Sequence, residues 1–214
     1  MLKAKLCIVF IVATSTANTQ AAATPQIEDE ALQTCILQSM EKAGLNEPKQ
    51  LIKLKCHNKD IKTVSGLEQL VNIESLSLFG NSIASADLTT LTALKYINLA
   101  KNDLTNLQIN GLKNLETLYL FKNKLTTINF DGVVSLTKMR IMQNKLEVLD
   151  ISPLQSLTEA YLWDNQLEDL QITGLDKLEF LDVKQNPMPD ELYDFYDKQS
   201  AITISHDGNA DDWK

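Results

Sequence analysis

Basic chemistry is scarce in this chain. Among 214 residues there is one arginine, Arg140, and there are two histidines, His57 and His206. Lysine and arginine together number 20 against 28 acidic residues, a formal net charge of −8. Nucleic-acid binding needs a basic stripe that neutralises phosphates, so this balance argues against such a partner. Two histidines near opposite ends support neither a Ser-His-Asp arrangement nor a histidine metal cluster. Glycine occurs seven times, and neither a phosphate loop nor a dinucleotide-binding glycine motif is present. Carboxylates are common, and nothing marks any pair of them as functional. The expectation is a protein that is not an enzyme and carries no cofactor or metal.

Long apolar runs are equally scarce. The first 23 residues read MLKAKLCIVFIVATSTANTQAAA. Lys3 and Lys5 precede the run Leu6 to Ala13, and Ala21-Ala22-Ala23 offers an A-x-A cleavage site. This pattern predicts a signal peptide over 1–23, too short in its apolar part to anchor the chain. Cys7 lies at the start of the run, not after it, so it makes no lipobox. Export to a periplasm or to the outside of a bacterial cell is expected, without membrane insertion once the peptide is cleaved. Cleavage removes two lysines and leaves the mature chain near −10. Only Cys35 and Cys56 then remain. An even pair in an oxidising compartment predicts a disulfide, the alternative being two buried free thiols. The mature chain lacks any N-x-S/T sequon, which sits with a bacterial source.

What the chain has in abundance is periodicity. Asparagine recurs at Asn81, Asn102, Asn123, Asn144, Asn165 and Asn186, always 21 residues apart. Each sits in the same apolar frame, L-x-x-L-x-L-x-x-N-x-L. Leu115, Leu118, Leu120, Asn123 and Leu125 show it, as do Leu157, Ala160, Leu162, Asn165 and Leu167. An irregular copy fits upstream as Leu51, Leu54, Cys56 and Ile61, with Lys59 in place of asparagine. Repeats of this length that cannot bury their apolar face alone stack into a solenoid.

Six in-phase copies of this frame resemble the leucine-rich repeat family. The resemblance covers roughly residues 49–188 and is specific for fold, but not for function. It implies a short strand per repeat, joined into a parallel sheet on the concave face. The asparagine should turn inward and bond backbone groups that would otherwise be buried without partners. Lys59 cannot do so and should stay at an exposed edge. The second half of each repeat alternates, as in Leu107-Gln108-Ile109, Leu149-Asp150-Ile151 and Leu170-Gln171-Ile172. Period 2 predicts an extended convex segment rather than a helix. Some bacterial members carry a cysteine-nucleophile ligase domain, but no cysteine follows Cys56 here. The expected division is therefore a signal peptide (1–23), an N-terminal cap helix (24–48), about seven repeats (49–188) and a C-terminal cap with an acidic tail (189–214).

Both ends need caps. Ile27, Ala31, Leu32, Cys35, Ile36 and Met40 have helical spacing, and Gly44 can end the helix. A Cys35–Cys56 bridge would pin that helix to the first strand, an arrangement similar to the N-terminal caps of exported bacterial leucine-rich repeat proteins. At the other end, DELYDFYDKQ predicts a short helix with Leu192 and Tyr196 inward, followed by an edge strand over 201–204. Asp207, Asn209 and Asp211 have the spacing of calcium ligands. Asp212 replaces the needed glycine and no acid closes the loop, so a solvated tail is expected.

The side chains between the core leucines project from the concave sheet in columns. The central column is Lys55, Ser77, Asn98, Tyr119, Arg140, Tyr161 and Asp182. The next is His57, Phe79, Ala100, Phe121, Met142, Trp163 and Lys184. A third holds Lys53, Ser75, Tyr96, Thr117, Lys138, Glu159 and Phe180, and a rim position holds Lys101, Lys122, Gln143 and Asp164. Aromatic residues, methionine and arginine are enriched at protein interfaces. An exposed apolar patch of this size marks a contact surface. The expected ligand-binding residues are Phe79, Tyr96, Tyr119, Phe121, Arg140, Met142, Tyr161 and Trp163. The expected ligand is a protein or peptide. A glycan stacking on the rings, a structural or self-assembling envelope role, and simple packing of the sheet are the alternatives.

Overall fold

The computed structural model describes residues 26–208. The expected signal peptide and the acidic tail from residue 209 lie outside the described residues. The chain opens with helix α1 (Glu30–Ala43) and then winds through ten three-residue strands and helix α2. One eight-stranded sheet contains β1 (Lys53–Lys55), β2 (Ser75–Ser77), β4 (Tyr96–Asn98), β6 (Thr117–Tyr119), β7 (Lys138–Arg140), β8 (Glu159–Tyr161), β9 (Phe180–Asp182) and β10 (Thr203–Ser205), in that order. All of its neighbours are parallel. On the convex side β3 (Ser85–Asp87) pairs with β5 (Asn106–Gln108), also in parallel. The other repeats place short extended segments and tight turns there, such as Leu91 N–H to Leu88 O and Leu94 N–H to Leu91 O, and short 3-10 helices occur at Pro48–Gln50 and Leu67–Gln69.

Why the coil closes is visible in any repeat. Leu118 and Leu120 are fully buried on the strand side, and Leu107 and Ile109 close the convex side of the preceding turn. Stacked turns join these side chains into one core from Ile27 to Tyr196. The asparagines then link neighbouring turns. Asn123 Oδ1 accepts the Leu104 N–H of the preceding turn, while its Nδ2 donates to Leu99 O and Leu120 O. Asn102, Asn144, Asn165 and Asn186 repeat this geometry. Asn81 accepts from both Lys59 and Ile61 of the irregular first repeat. Lys59 itself is exposed.

The residue before each of these asparagines is left-handed, a feature not anticipated from the pattern. Lys101, Lys122, Gln143, Asp164 and Gln185 have φ of 54 to 58°, and Gly80 occupies the same place at 71°. Glycine at that place in one repeat was the available signal, because glycine is the residue that takes positive φ without strain.

Asp29 begins α1, its Oδ1 accepting the Leu32 N–H, and Gly44 ends it in the left-handed conformation. Leu32, Cys35, Ile36 and Met40 form the buried face, and Cys35 is bridged to Cys56 with Cα atoms 6.0 Å apart. At the other end α2 (Asp190–Asp197) buries Tyr193 and Tyr196, whereas Leu192 is only partly covered. Of the two residues expected inward, Tyr196 is buried and Leu192 packs only partly against the core, while Tyr193, not expected there, takes a deep position. The tyrosines take the deep positions because their hydroxyls reach carbonyls that the last turn leaves open. Tyr193 donates to Asn186 O and Tyr196 to Leu170 O. The final strand spans Thr203–Ser205, starting two residues later and ending one residue later than the expected 201–204.

Two outcomes follow from these contacts. Asn123→Ala strands one buried N–H and weakens two carbonyls, so it should lower unfolding free energy by about 3 kcal/mol in urea titration. A loss under about 0.5 kcal/mol would mean that the ladder carries little stability. Asp29 offers a second check. Burial raises its pKa, but backbone N–H groups led by those of Lys62 and Leu32 outweigh this and hold it below 3.8. A depressed carboxylate stabilises the fold above its unfolded pKa, and that contribution is lost as pH falls through the folded value. Asp29→Ala should therefore cost about 1 kcal/mol at pH 6, and the gap should close in acid. A gap independent of pH would contradict the assignment.

Candidate functional site

Parallel register turns sequence spacing into columns on the concave face. Lys55, Ser77, Asn98, Tyr119, Arg140, Tyr161 and Asp182 are successive partners along the sheet. Lys53, Ser75, Tyr96, Thr117, Lys138, Glu159 and Phe180 form the parallel column. Backbone bonds carry the ladder past the strands into the next column, for example Lys101 N–H to Phe121 O, Lys122 N–H to Met142 O and Gln143 N–H to Trp163 O.

Within this frame the side chains meet across strands. The Arg140 guanidinium lies between two rings, 5.3 Å from the Tyr119 centroid and 4.9 Å from that of Tyr161. Tyr96 meets Tyr119 edge-on at 5.7 Å, and Phe180 meets Tyr161 at 5.0 Å. The centre of the sheet thus holds Tyr96, Tyr119, Arg140, Tyr161 and Phe180 in contact. A second group runs alongside. His57 lies 5.6 Å from Phe79, and Phe79 lies 6.3 Å from Phe121. That last contact skips a strand. It is possible because Ala100 stands between them, fully buried and too small to intervene. Lys101 Nζ sits 5.1 Å from the Phe79 ring.

All eight expected ligand-binding residues are half-buried rather than exposed. The most exposed large apolar side chains are elsewhere, Val148 at 72% being the extreme. The expectation of openly exposed rings is therefore corrected. Neighbouring strands lie about 4.8 Å apart, so large side chains in one column shield each other. Phe180 and His57 were placed in columns by the sequence but not counted among the binding residues. Both join the aromatic contacts.

Polar groups complete the face. His57 Nε2 lies 2.6 Å from Ser77 Oγ. Burial, aided by the nearby Lys55 charge, lowers the His57 pKa and favours the neutral ring. Lys138 and Glu159 form an ion pair in the column that begins at Lys53. A depression of about 290 Å³ opens at the N-terminal end of the face, between Lys53, Lys55 and His57 on one side and Ser75, Tyr96 and Asn98 on the other. Among the described residues no cluster of three or more His, Cys, Asp or Glu could hold a metal ion, and no helix is long and apolar enough to cross a membrane.

Comparison with solved structures places this geometry. Internalin C2 of Listeria monocytogenes aligns with a TM-score of 0.57 and 23% identity, over 84% of this chain and 94% of the other. The internalin InlF of the same organism aligns with a TM-score of 0.56 and 22% identity, over 89% and 67%. The fold is a leucine-rich repeat solenoid. A TLR13 chain in complex with the single-stranded RNA ssRNA13 aligns with a TM-score of 0.55 and 24% identity, over 72% of this chain and 24% of that one. The chain spans about half, 51%, of the InlJ domain of L. monocytogenes, at 21% identity over 76% of this chain and a TM-score of 0.45. No protein-family model matches the sequence, and no curated protein does either. Likeness at these identities concerns the fold alone.

The central stack can be tested apart from any ligand. A cation over exposed or half-exposed rings contributes about 0.5–1 kcal/mol. Arg140→Met keeps the length and packing of the side chain, so thermal denaturation should show a loss of no more than about 1 kcal/mol. A loss above about 3 kcal/mol would make Arg140 a structural strut of the sheet.

Proposed function

We propose that this chain is a non-catalytic recognition module that binds a protein or peptide ligand through its concave sheet. The observation that carries this reading is the arginine held between two tyrosines at the middle of the sheet, with aromatic side chains on both flanks. Residues of these types anchor protein interfaces, because they bury much area at low entropic cost and keep a polar handle. Phe121, Met142 and Trp163 serve as apolar anchors, and Tyr119, Arg140 and Tyr161 orient the contact. Phe79 and Tyr96 extend the surface toward the N-terminal end.

The proposed setting is outside the cytoplasm. The signal-like start of the sequence and the Cys35–Cys56 bridge support export, since structural disulfides persist in oxidising compartments. In this reading α1 is the N-terminal cap and α2 with β10 the C-terminal one, so that the array is closed at both ends and the concave face is left for binding. The TLR13 complex contains RNA. A net charge of −8 favours a protein ligand over RNA here.

The test is a pull-down from envelope and host-cell extracts with the wild type and a Phe121→Ser/Trp163→Ser variant, folding of both being checked by circular dichroism. The expected result is a partner held by the wild type and lost from the folded variant. Equal recovery on both proteins would assign these rings to packing of the sheet instead.

A further inference from the structure

The concave face is electrically unlike the protein that carries it. The chain has a net charge of −8. Yet over β1, β2, β4, β6 and β7, the three columns and their rim hold Lys53, Lys55, Lys101, Lys122, Lys138 and Arg140, and not one acidic residue. Acids enter only beyond β7, as Glu159, Asp164 and Asp182. Of the six cations, Lys138 is neutralised by Glu159. The other five form no ion pair among the described residues. This is unusual in a chain where acids outnumber bases, because a random draw would scatter carboxylates among them.

Arg140 is the sharpest case. Tyrosine rings from both neighbouring strands flank its guanidinium, their centroids 5.3 and 4.9 Å from Cζ. Its Nε is buried and donates to no acceptor among the described residues. A buried donor without a partner carries a desolvation penalty of about 1–3 kcal/mol, so folds seldom leave one. The nearest column acid, Glu159, is engaged by Lys138. The guanidinium is thus held between two rings and pairs with no carboxylate of the described residues; a ligand would meet its terminal nitrogens, since Nε is buried. A guanidinium is a permanent cation whose donors match the two oxygens of a carboxylate.

From this we infer that the concave face recognises an acidic peptide segment, one carboxylate docking on Arg140 between Tyr119 and Tyr161, and a second in the depression beside Lys53 and Lys55. The inference rests on the concave-face reading above and adds the chemistry of the partner. The two docking points lie four strand spacings apart in the sheet, about 19 Å. An extended peptide covers that distance in about six residues. At the far end Glu159 is already paired with Lys138, and Asp164 and Asp182 outnumber Lys184, so that end offers no cationic track to a longer polyanion. This favours a short acidic peptide over RNA, and it sets the polarity in which the acidic part lies toward β1.

A defined library separates the possibilities. Random octapeptides are panned on immobilised wild type, on Arg140→Met and on Lys53→Gln/Lys55→Gln, with a labelled single-stranded RNA of random sequence as a parallel probe. Melting temperature and far-ultraviolet circular dichroism establish that each variant is folded. Peptides recovered on the wild type should be enriched in Asp and Glu. The best of them, resynthesised, should bind Arg140→Met about tenfold or more weakly, and their affinity should fall with added salt. Replacement of their acids by Asn and Gln should abolish binding. Recovery without acidic enrichment, recovery that Arg140→Met leaves unchanged, preferential retention of the RNA, or no recovery at all would each overturn the inference. Failure here leaves the concave-face reading to be decided by the Phe121→Ser/Trp163→Ser variant, since a partner lost from that protein but bound without acidic residues keeps the site and rejects its charge.

Discussion

The asparagine ladder is the interaction on which the rest of this structure depends. A coil of 21 residues must turn its backbone inward at the end of each strand, and there the peptide groups leave water. One amide side chain per turn meets this demand. Asn123 accepts one N–H from the turn before it and donates to a carbonyl of that turn and to one of its own. The same side chain thus satisfies the turn and fixes the spacing between turns. It also accompanies a local strain. The preceding residue takes positive φ, which costs an ordinary side chain about 1–2 kcal/mol. Five non-glycine residues accept it here. The bonds that follow must outweigh that cost, and the leucines stacked on each side supply most of the burial.

Once the turns are locked in phase, the concave face is no longer free to vary. A side chain and its counterpart 21 residues later are neighbours in register. The evolution of a binding surface on such a scaffold is therefore the choice of side chains along columns. In this chain the central column was filled with Tyr119, Arg140 and Tyr161, and small residues were left where rings must meet over them. Ala100 is the clearest instance, since a larger residue there would separate Phe79 from Phe121. The ends are handled differently. The N-terminal helix is held covalently through Cys35 and Cys56, whereas the C-terminal helix is held by two tyrosine hydroxyls that reach back to the last turns. Burial pushes both phenol pKa values up, which keeps those hydroxyls as donors.

The electrostatics of the face follow from the same column logic. The net charge of the chain does not describe the face, because the three columns over β1, β2, β4, β6 and β7 hold no acidic residue. Six of the 20 basic residues, and no acid, stand on the face over β1, β2, β4, β6 and β7. A net charge of −8 disfavours a long polyanion that would meet the whole protein. The distribution instead separates two anions, a nucleic acid that would track the whole face and a short acidic peptide that would occupy one end of it.

Legible in the one-dimensional chain were the repeat length, the parallel solenoid, the alternating convex segments, the direction in which the asparagines turn and the membership of each column. These are one-dimensional properties, since a fixed period and a pleat of two residues translate directly into which side chains share a face. The pairing of Cys35 with Cys56 was also legible, because only two cysteines follow the signal-like segment. Packing in three dimensions settled the rest. It chose Tyr193 over Leu192 at the end of the core, because a hydroxyl could satisfy an open carbonyl there. It brought Phe180 and His57 into the aromatic contacts and half-covered rings that alternation alone had left exposed. It left Arg140 between two tyrosine rings, paired with no carboxylate of the described residues. Each of these outcomes depends on side-chain size and reach across strands about 4.8 Å apart, between residues 20 or more positions distant in the chain. A repeating pattern specifies that such residues are neighbours, but only their packed geometry specifies what they do to one another.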